Sequence, residues 1–195
     1  MSARVRTLRI VEDAGVDSLP TYAVRLARVG EEVAIGDVCR RGFAWSSQGL
    51  LSPASIERQA QAYYAPARVR HEISTAGDSP QWQGYVVAVT ERDEVLGAAG
   101  GGVGGGVGGE VGNVYVLYLE PALRGRGIGT ALLDFVTAQQ RSVGAAEQWV
   151  SVTEGNERGI PFYRARGFTL VDRVPYVVAG DGTVEAHSLR MRRSI

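Results

Sequence analysis

The residues best suited to chemistry are glycines that follow an apolar run. The chain passes from Leu117, Tyr118 and Leu119 into a turn made of Arg124, Gly125, Arg126, Gly127, Ile128, Gly129 and Thr130. Glycines leave main-chain N–H groups uncovered, and a helix that starts at such a turn adds unpaired amides and the positive end of its dipole. The turn is therefore predicted to bind a diphosphate.

The order of the surrounding elements supports this prediction more than the glycines do. The chain contains 26 glycines, so short glycine patterns arise readily from composition. However, the run from Val114 to Leu119 has the pattern of a strand, and apolar residues then recur at helical spacing at Ile128, Leu132, Phe135 and Val136. An ordinary strand-to-helix turn is the alternative interpretation.

Two other phosphate-binding motifs fit less well. A P-loop ends in Gly-Lys-Ser or Gly-Lys-Thr, and this chain contains no lysine. A dinucleotide-binding turn places an acidic residue at the end of a second strand, about 20 residues further on. Glu147 lies at about that distance, but it precedes the strand from Trp149 to Val152. We therefore rank the dinucleotide motif low.

Composition favours one compact domain over residues 1–195. Apolar residues make up 45% of the chain and charged residues 22%, and the formal net charge is zero, so no global attraction to nucleic acid or to an anionic membrane is expected. Cys39 is the single cysteine, no apolar stretch reaches the roughly 18 residues of a membrane span, and the N-terminus has no hydrophobic signal region, so the expected location is cytoplasmic. His71 and His187 are far apart, and no metal is expected.

In the first half of the chain, Val5–Ile10 alternates as a strand does. Asp13 or Asp17 then caps a predicted helix that carries Leu19, Tyr22, Ala23, Leu26 and Ala27. Pro53–Tyr64 is predicted to be a helix capped by Ser52, and Arg68–Ser74 a second short helix. The segment from Val29 to Leu51 receives no assignment.

The second half predicts a mixed sheet. Tyr85–Thr90 and Val95–Ala99 form an antiparallel hairpin, and the tract Gly100–Gly112 is expected to be a mobile loop at its centre. A helix over Gly127–Val143 leads to the strand Gln148–Thr153, which is a parallel crossover. A helix over Gly159–Gly167 precedes a hairpin of Phe168–Val178 and Thr183–Arg192. The predicted class is α+β, with a mostly antiparallel sheet flanked by helices.

The glycine turn and the later stretch from Asn156 to Phe168 together resemble the GNAT superfamily of N-acetyltransferases. The resemblance covers roughly Tyr85–Arg192, which would be the acetyl-CoA-binding core. It implies that residues 124–130 bind the pyrophosphate of acetyl-CoA and that the main chain of Leu117–Leu119 pairs with the pantetheine amides. It also places Asn156 on the pantetheine arm and makes Tyr163 the group that protonates the departing thiolate. From the residues alone, Asn156 is equally well explained as a turn or cap residue, and Tyr163 as a partly buried aromatic.

The usual general base of the family is missing. Many relatives carry Glu where this chain has Asn113, and Ser151 occupies another position where a base is common. Neither side chain accepts a proton at neutral pH. Nearby carboxylates are found at Glu110, Glu120 and Glu154, and solvated loop positions explain all three better than catalysis does.

The sequence thus predicts transfer of an acetyl group, by direct attack, to a primary amine of a small molecule or peptide. A catalytically silent acyl-CoA sensor or interaction module is the alternative, because both usual base positions are changed. A nucleotide-binding protein unrelated to CoA is a third interpretation. A homodimer is compatible with exposed strand edges, and the acceptor is not identified by any motif.

Overall fold

A computed structural model of the chain describes residues 21–106, 109–177 and 182–195. The strands are β1 (Tyr22–Leu26), β2 (Tyr85–Thr90), β3 (Val95–Gly106), β4 (Gly109–Leu119), β5 (Glu147–Thr153), β6 (Thr169–Val177) and β7 (Val184–Ser194). The helices are α1 (Glu32–Ser47), α2 (Pro53–Tyr64), α3 (Pro66–Ser74), α4 (Ile128–Ser142) and α5 (Gly159–Arg164), with a 3₁₀ turn at Pro121–Leu123.

All seven strands form one sheet in the order β1-β2-β3-β4-β5-β7-β6. Every neighbouring pair is antiparallel except β4 and β5, which are parallel and are joined by the crossover through α4. The predicted α+β class, with its mixed and mostly antiparallel sheet, is confirmed. The parallel pair matters for function because both of its strands end at the same edge of the sheet.

Apolar cores lie on both faces of the sheet. On one face, α4 and the region around α5 contribute Ile128, Leu132 and Tyr163 to a buried cluster. On the other face, α1, α2 and α3 pack over the sheet with residues such as Ile35 and Tyr64. Strand β2 is buried along its whole length because its side chains enter the two cores alternately. The packing of both faces holds in place the strands of the sheet, including β4, which leads into the glycine turn.

The helix predicted through Tyr22–Ala27 is wrong where the structure describes it. Tyr22–Leu26 is a strand that pairs antiparallel with β2, from Tyr22 opposite Thr90 to Leu26 opposite Val86. The apolar spacing matches a helix in so short a segment, but the available edge of β2 decides the conformation. The strand predicted over Val5–Ile10 and the caps Asp13 and Asp17 lie outside the described residues.

The glycine tract is also different from the prediction. Gly100–Gly106 continues β3, and Gly109–Gly112 begins β4, so the tract is a long hairpin, although residues 107–108 lie outside the described part of the chain. A Cβ on Gly101 would overlap the carbonyl oxygen of Asn113, and one on Gly112 would overlap the buried Gln140 amide. Close packing therefore explains why several of these positions are glycine.

The helix predicted over Pro53–Tyr64 is confirmed as α2, and the Ser52 hydroxyl accepts a hydrogen bond from the amide of Ser55, 3.2 Å away. The helix predicted to begin at Arg68 begins at Pro66, and the one predicted to end at Gly167 ends at Arg164. The final hairpin is present as β6 and β7, but residues 178–181 of its turn lie outside the described residues.

Candidate active site

A cleft opens where β4 and β5 separate. Their parallel register runs from Val111 opposite Glu147 to Val114 opposite Val150, and it ends there. β4 continues to Leu119 and β5 continues to Thr153. In the described part of the chain, no strand pairs with the edge of β4 that faces β5 beyond this point. The open edge therefore offers main-chain donors and acceptors to an extended ligand.

A β-bulge at the same point bends β4. Gly100 of β3 lies opposite Val116 and Gly101 lies opposite Val114, so Tyr115 is the extra residue. A bulge bends its strand and increases the local twist, which turns the end of β4 away from β5. The side chain of Tyr115 is 55% exposed. The bulge thus accounts for the separation of the two strands.

The glycine turn lies at the wide end of the cleft. Gly125 and Gly127 have φ angles of 76° and 85°, a left-handed conformation that favours glycine. The first hydrogen bond of α4 runs from the amide of Ala131 to the carbonyl of Gly127, 3.0 Å away, so the amides of residues 128–130 have no partner within the helix. These amides and the helix dipole have the geometry that suits an anion, at the turn where the sequence predicts a diphosphate.

The cleft has a volume of about 380 Å³. Of the predicted cofactor residues, those that line it are Leu117, Tyr118, Leu119, Arg124, Gly125, Gly127, Ile128, Gly129, Thr130 and Asn156, and the predicted catalytic residue Tyr163 lines it as well. Arg126 does not line the cleft. The rings of Tyr118 and Phe43 pack against each other with centroids 6.1 Å apart.

Tyr163 lies on α5 and is 8% exposed. Its ring packs edge-on between Phe162 and Phe168, with centroid distances of 5.1 and 5.3 Å. Burial raises the pKa of the Tyr163 hydroxyl well above its usual value, and the nearby Tyr118 acts in the same direction. The hydroxyl therefore stays protonated at neutral pH, and it can donate a hydrogen bond to a sulfur atom in the cleft.

Asn156 caps the start of α5. Its Oδ1 accepts hydrogen bonds from the amides of Arg158 and Gly159, at 3.1 and 2.8 Å. These two bonds fit the interpretation of Asn156 as a turn or cap residue. Because Oδ1 is used in this way, the Nδ2 group is the part of the side chain that can serve a ligand in the cleft.

The positions considered for a general base offer no free carboxylate in the cleft. Asn113 lies in the paired part of β4, and its Nδ2 donates to the carbonyl of Val111 at 3.4 Å. Glu110 lies four residues before Val114, or about 13 Å along the strand. Glu120 accepts a hydrogen bond from Arg41 at 3.0 Å.

Glu154 is held in a bidentate pair with Arg173, with N–O distances of 2.8 to 3.0 Å. The Arg173 guanidinium lowers the pKa of the Glu154 carboxyl below its usual value, which makes this carboxylate a weak base. Ser151 lines the cleft, but a hydroxyl is not a base at neutral pH. Among the described residues that line the cleft, there is no Asp, Glu or His.

No motif in the sequence predicts a stack that connects the two sides of the cleft. Two guanidinium groups contact the Trp45 ring, with Arg124 4.4 Å and Arg158 3.8 Å from its centroid. Arg124 also donates to the carbonyl of Arg158, and Arg158 donates to the carbonyl of Trp45, each at 3.0 Å. The end of α1 is thereby joined both to the glycine turn and to the loop before α5.

No helix in the described ranges is both long and apolar enough to cross a membrane. Within those same ranges, no three His, Cys, Asp or Glu side chains are grouped so as to hold a metal ion.

Comparison with known proteins agrees with this geometry. Residues 52–168 match the model of the acetyltransferase (GNAT) family. The chain is 27% identical over 179 residues to an L-methionine sulfoximine/L-methionine sulfone acetyltransferase of Pseudomonas paraeruginosa, which covers 91% of this chain and 86% of that protein.

Two solved structures share the fold. The PaiA N-acetyltransferase of Thermoplasma acidophilum, solved with coenzyme A, has a TM-score of 0.73 and 19% identity, and the match covers 90% of this chain and 99% of that one. A GCN5-related N-acetyltransferase from Kribbella flavida has a TM-score of 0.62 and 22% identity, over 89% and 98% of the two chains. The family match covers more than half of the chain, and the protein therefore belongs to the GNAT family of acetyltransferases.

Proposed function

We propose that this acetyltransferase moves the acetyl group of acetyl-CoA directly to the primary amine of a small molecule. The observation that supports this most strongly is the separation of β4 and β5 beyond Val114 and Val150, which opens the cleft that the glycine turn also lines. The open edge of β4 suits the amides of the pantetheine arm, and the amides at the start of α4 suit the diphosphate.

Acetyl-CoA supplies an acetyl thioester to this reaction. The neutral amine of the acceptor attacks the thioester carbonyl, so a C–N bond forms and the C–S bond breaks. A main-chain N–H on the open edge of β4 stabilises the developing negative charge on the carbonyl oxygen. The Tyr163 hydroxyl donates a hydrogen bond to the departing sulfur, and the proton lost by the amine ends on that sulfur, so the atoms and charges balance.

The acceptor must lose its ammonium proton before it attacks. An amine like that of lysine, with a pKa of about 10.4, needs about 4.6 kcal/mol to do so at pH 7, whereas an α-amine with a pKa near 7.8 needs about 1 kcal/mol. Because the described residues that line the cleft include no carboxylate or imidazole, we propose that the acceptor ammonium loses its proton to water. This favours weakly basic amines.

The relative from Pseudomonas paraeruginosa is named for two amino-acid derivatives, L-methionine sulfoximine and L-methionine sulfone. An amine on an amino-acid derivative is therefore the first acceptor class to test. Peptide amines are the second acceptor class to test. We also propose a location in the cytoplasm, which agrees with either class. We further propose that the protein forms a homodimer, which measurements of its size in solution would test.

The missing base in the lining favours a second candidate function, a silent sensor of acyl-CoA. Release of free thiol from acetyl-CoA should be followed across a panel of amines that includes amino-acid derivatives, dipeptides and polyamines. Thiol release that depends on one class of amine, with the acetylated product found by mass spectrometry, supports the enzyme. Tight binding of acetyl-CoA without thiol release for any amine supports the sensor.

A further inference from the structure

Arg166 is a cleft residue that the motifs of the sequence do not single out. It follows α5 and lines the cleft. Its guanidinium donates to the hydroxyl of Thr130 and, at 2.8 Å, to the carbonyl of Phe162. It also lies over the Phe162 ring, 3.7 Å from the centroid. These contacts hold the positive charge in one place.

That place is the first turn of α4. Thr130 is the third residue of the helix, and its amide precedes the first hydrogen bond within the helix, from Ala131 to Gly127. The guanidinium of Arg166 is thus one side chain away from the amides that form the anion-binding end of α4. A charged side chain and a helix N-terminus act on the same anion when they lie this close together.

The charge of Arg166 is not neutralised by the protein. In the described residues, no carboxylate oxygen lies within 4 Å of its guanidinium. Burial lowers the pKa of Arg166 from its usual value, and the charge of Asp134 offsets only part of this effect. Its Nε is buried and has no hydrogen-bond partner in the described structure. A buried donor without a partner costs stability, so a purely structural role leaves both Nε and the charge unexplained.

We infer that Arg166 binds a phosphoryl oxygen of the CoA diphosphate, next to the main-chain amides of the glycine turn. This inference rests on the proposed function. Arg166 would add a directed, charge-assisted contact to a site that otherwise consists of backbone groups, and it would hold the diphosphate from the α5 side. The bond to Thr130 favours the diphosphate over the 3′-phosphate, because it keeps the guanidinium at the start of α4.

Three ligands separate the possible roles. CoA carries the diphosphate and the 3′-phosphate, dephospho-CoA carries the diphosphate alone, and pantetheine carries no phosphate. Each is titrated calorimetrically into the wild type and into Arg166→Leu, Arg166→Gln and Arg166→Lys. Arg164→Leu is the matched control, because Arg164 is an exposed arginine at the end of α5, two residues before Arg166, that does not line the cleft.

We expect Arg166→Leu to weaken the binding of CoA and of dephospho-CoA equally, by roughly 10- to 100-fold, as charge-assisted hydrogen bonds are lost. Pantetheine binding should be unchanged, the lysine variant should lie between, and the control should match the wild type. If the leucine variant does not fold, the glutamine variant gives the same comparison.

Three results would overturn the inference while leaving the proposed function intact. They are an unchanged affinity for CoA, a loss for CoA that spares dephospho-CoA, and an equal loss for pantetheine. The first removes Arg166 from binding, the second assigns it to the 3′-phosphate, and the third indicates a structural role. Failure of the wild type to bind CoA at all would instead refute the proposed function itself.

Discussion

Val114 of β4 and Val150 of β5 form the last parallel pair before the two strands separate. Both residues are buried, so the closed end of the cleft is fixed in the core between the sheet and α4. The open end carries the glycine turn on one strand and the loop to α5 on the other. The reacting groups can therefore be held at a point set by the core, while ligands occupy the open end.

Tyr163→Phe should lower turnover about 100-fold, because the departing sulfur loses its hydrogen-bond donor. Binding of CoA should be nearly unchanged, since the Tyr163 ring and its packing between Phe162 and Phe168 remain. Steady-state rates and calorimetric affinities for the same protein preparation check both parts. Unchanged turnover would remove Tyr163 from the mechanism.

The pH dependence of kcat/KM should follow the acceptor. The described residues that line the cleft include no carboxylate or imidazole base. The value of kcat/KM should therefore rise with pH and level off near the pKa of the amine used. Midpoints for an α-amine and for a lysine-like amine should then differ by about 2.6 pH units. Burial raises the pKa of Tyr163, so its deprotonation should cause no fall in rate below pH 10.

Glu154→Gln is the control for this profile. Arg173 lowers the pKa of the Glu154 carboxyl, which makes it a poor base, so the variant should keep the rising limb of the wild type. A midpoint that is the same for both amines, and that disappears in Glu154→Gln, would instead identify Glu154 as the base.

Gly101→Ala should destabilise the protein by about 1–3 kcal/mol, the usual cost of overpacking a core. A Cβ at this position would overlap the Asn113 carbonyl and would lie 2.9 Å from Nε2 of Gln140. Gly104→Ala is the matched control on the same strand, because nothing lies within 4 Å of its Cβ position. Urea unfolding of both variants tests the prediction, and equal losses of stability would contradict it.

Trp45→Leu should loosen the connection between α1 and the loop before α5. Two cation–π contacts of about 0.5–1 kcal/mol each correspond to roughly 5- to 30-fold faster local opening. Hydrogen exchange at residues 155–159 measures this opening. Trp149→Leu is the control, since Trp149 contacts Arg190 and does not line the cleft. Equal exchange in the two variants would show that the stack does not restrain the loop.

The sequence predicted the central part of the fold better than its ends. The glycine turn, α4 and β5 follow from local patterns of glycine and apolar spacing, and these local patterns also define the cleft. α1 was not predicted, since its Gly36 and Gly42 lower helix propensity. A Cβ at Gly36 would lie 2.6 Å from the carbonyl oxygen of Tyr64, and one at Gly42 would lie 2.8 Å from Cβ of Tyr118. Contacts with distant residues thus select these glycines.

Contacts between residues that are distant in sequence also explain which features of the site and of the glycine tract could not be predicted. The entropic cost of ordering glycine predicts a mobile centre for the tract, of which residues 107–108 lie outside the described part of the chain. In the described part, Gln140 donates to the carbonyls of Gly102 and Asn113 at 3.2 and 2.9 Å and needs bare backbone nearby. The positions of Trp45 and Arg166 depend on loops that are distant in sequence, so no spacing rule predicts them.

The most direct test of the account is a calorimetric titration of the wild-type protein with CoA, combined with a protein melting curve. We predict saturable binding of one CoA per chain, a higher melting temperature with CoA, and NMR shifts that cluster at residues 115–130. Absence of heat, of a melting shift and of any perturbation in that segment would contradict the central claim that the open edge of β4 and the glycine turn bind CoA.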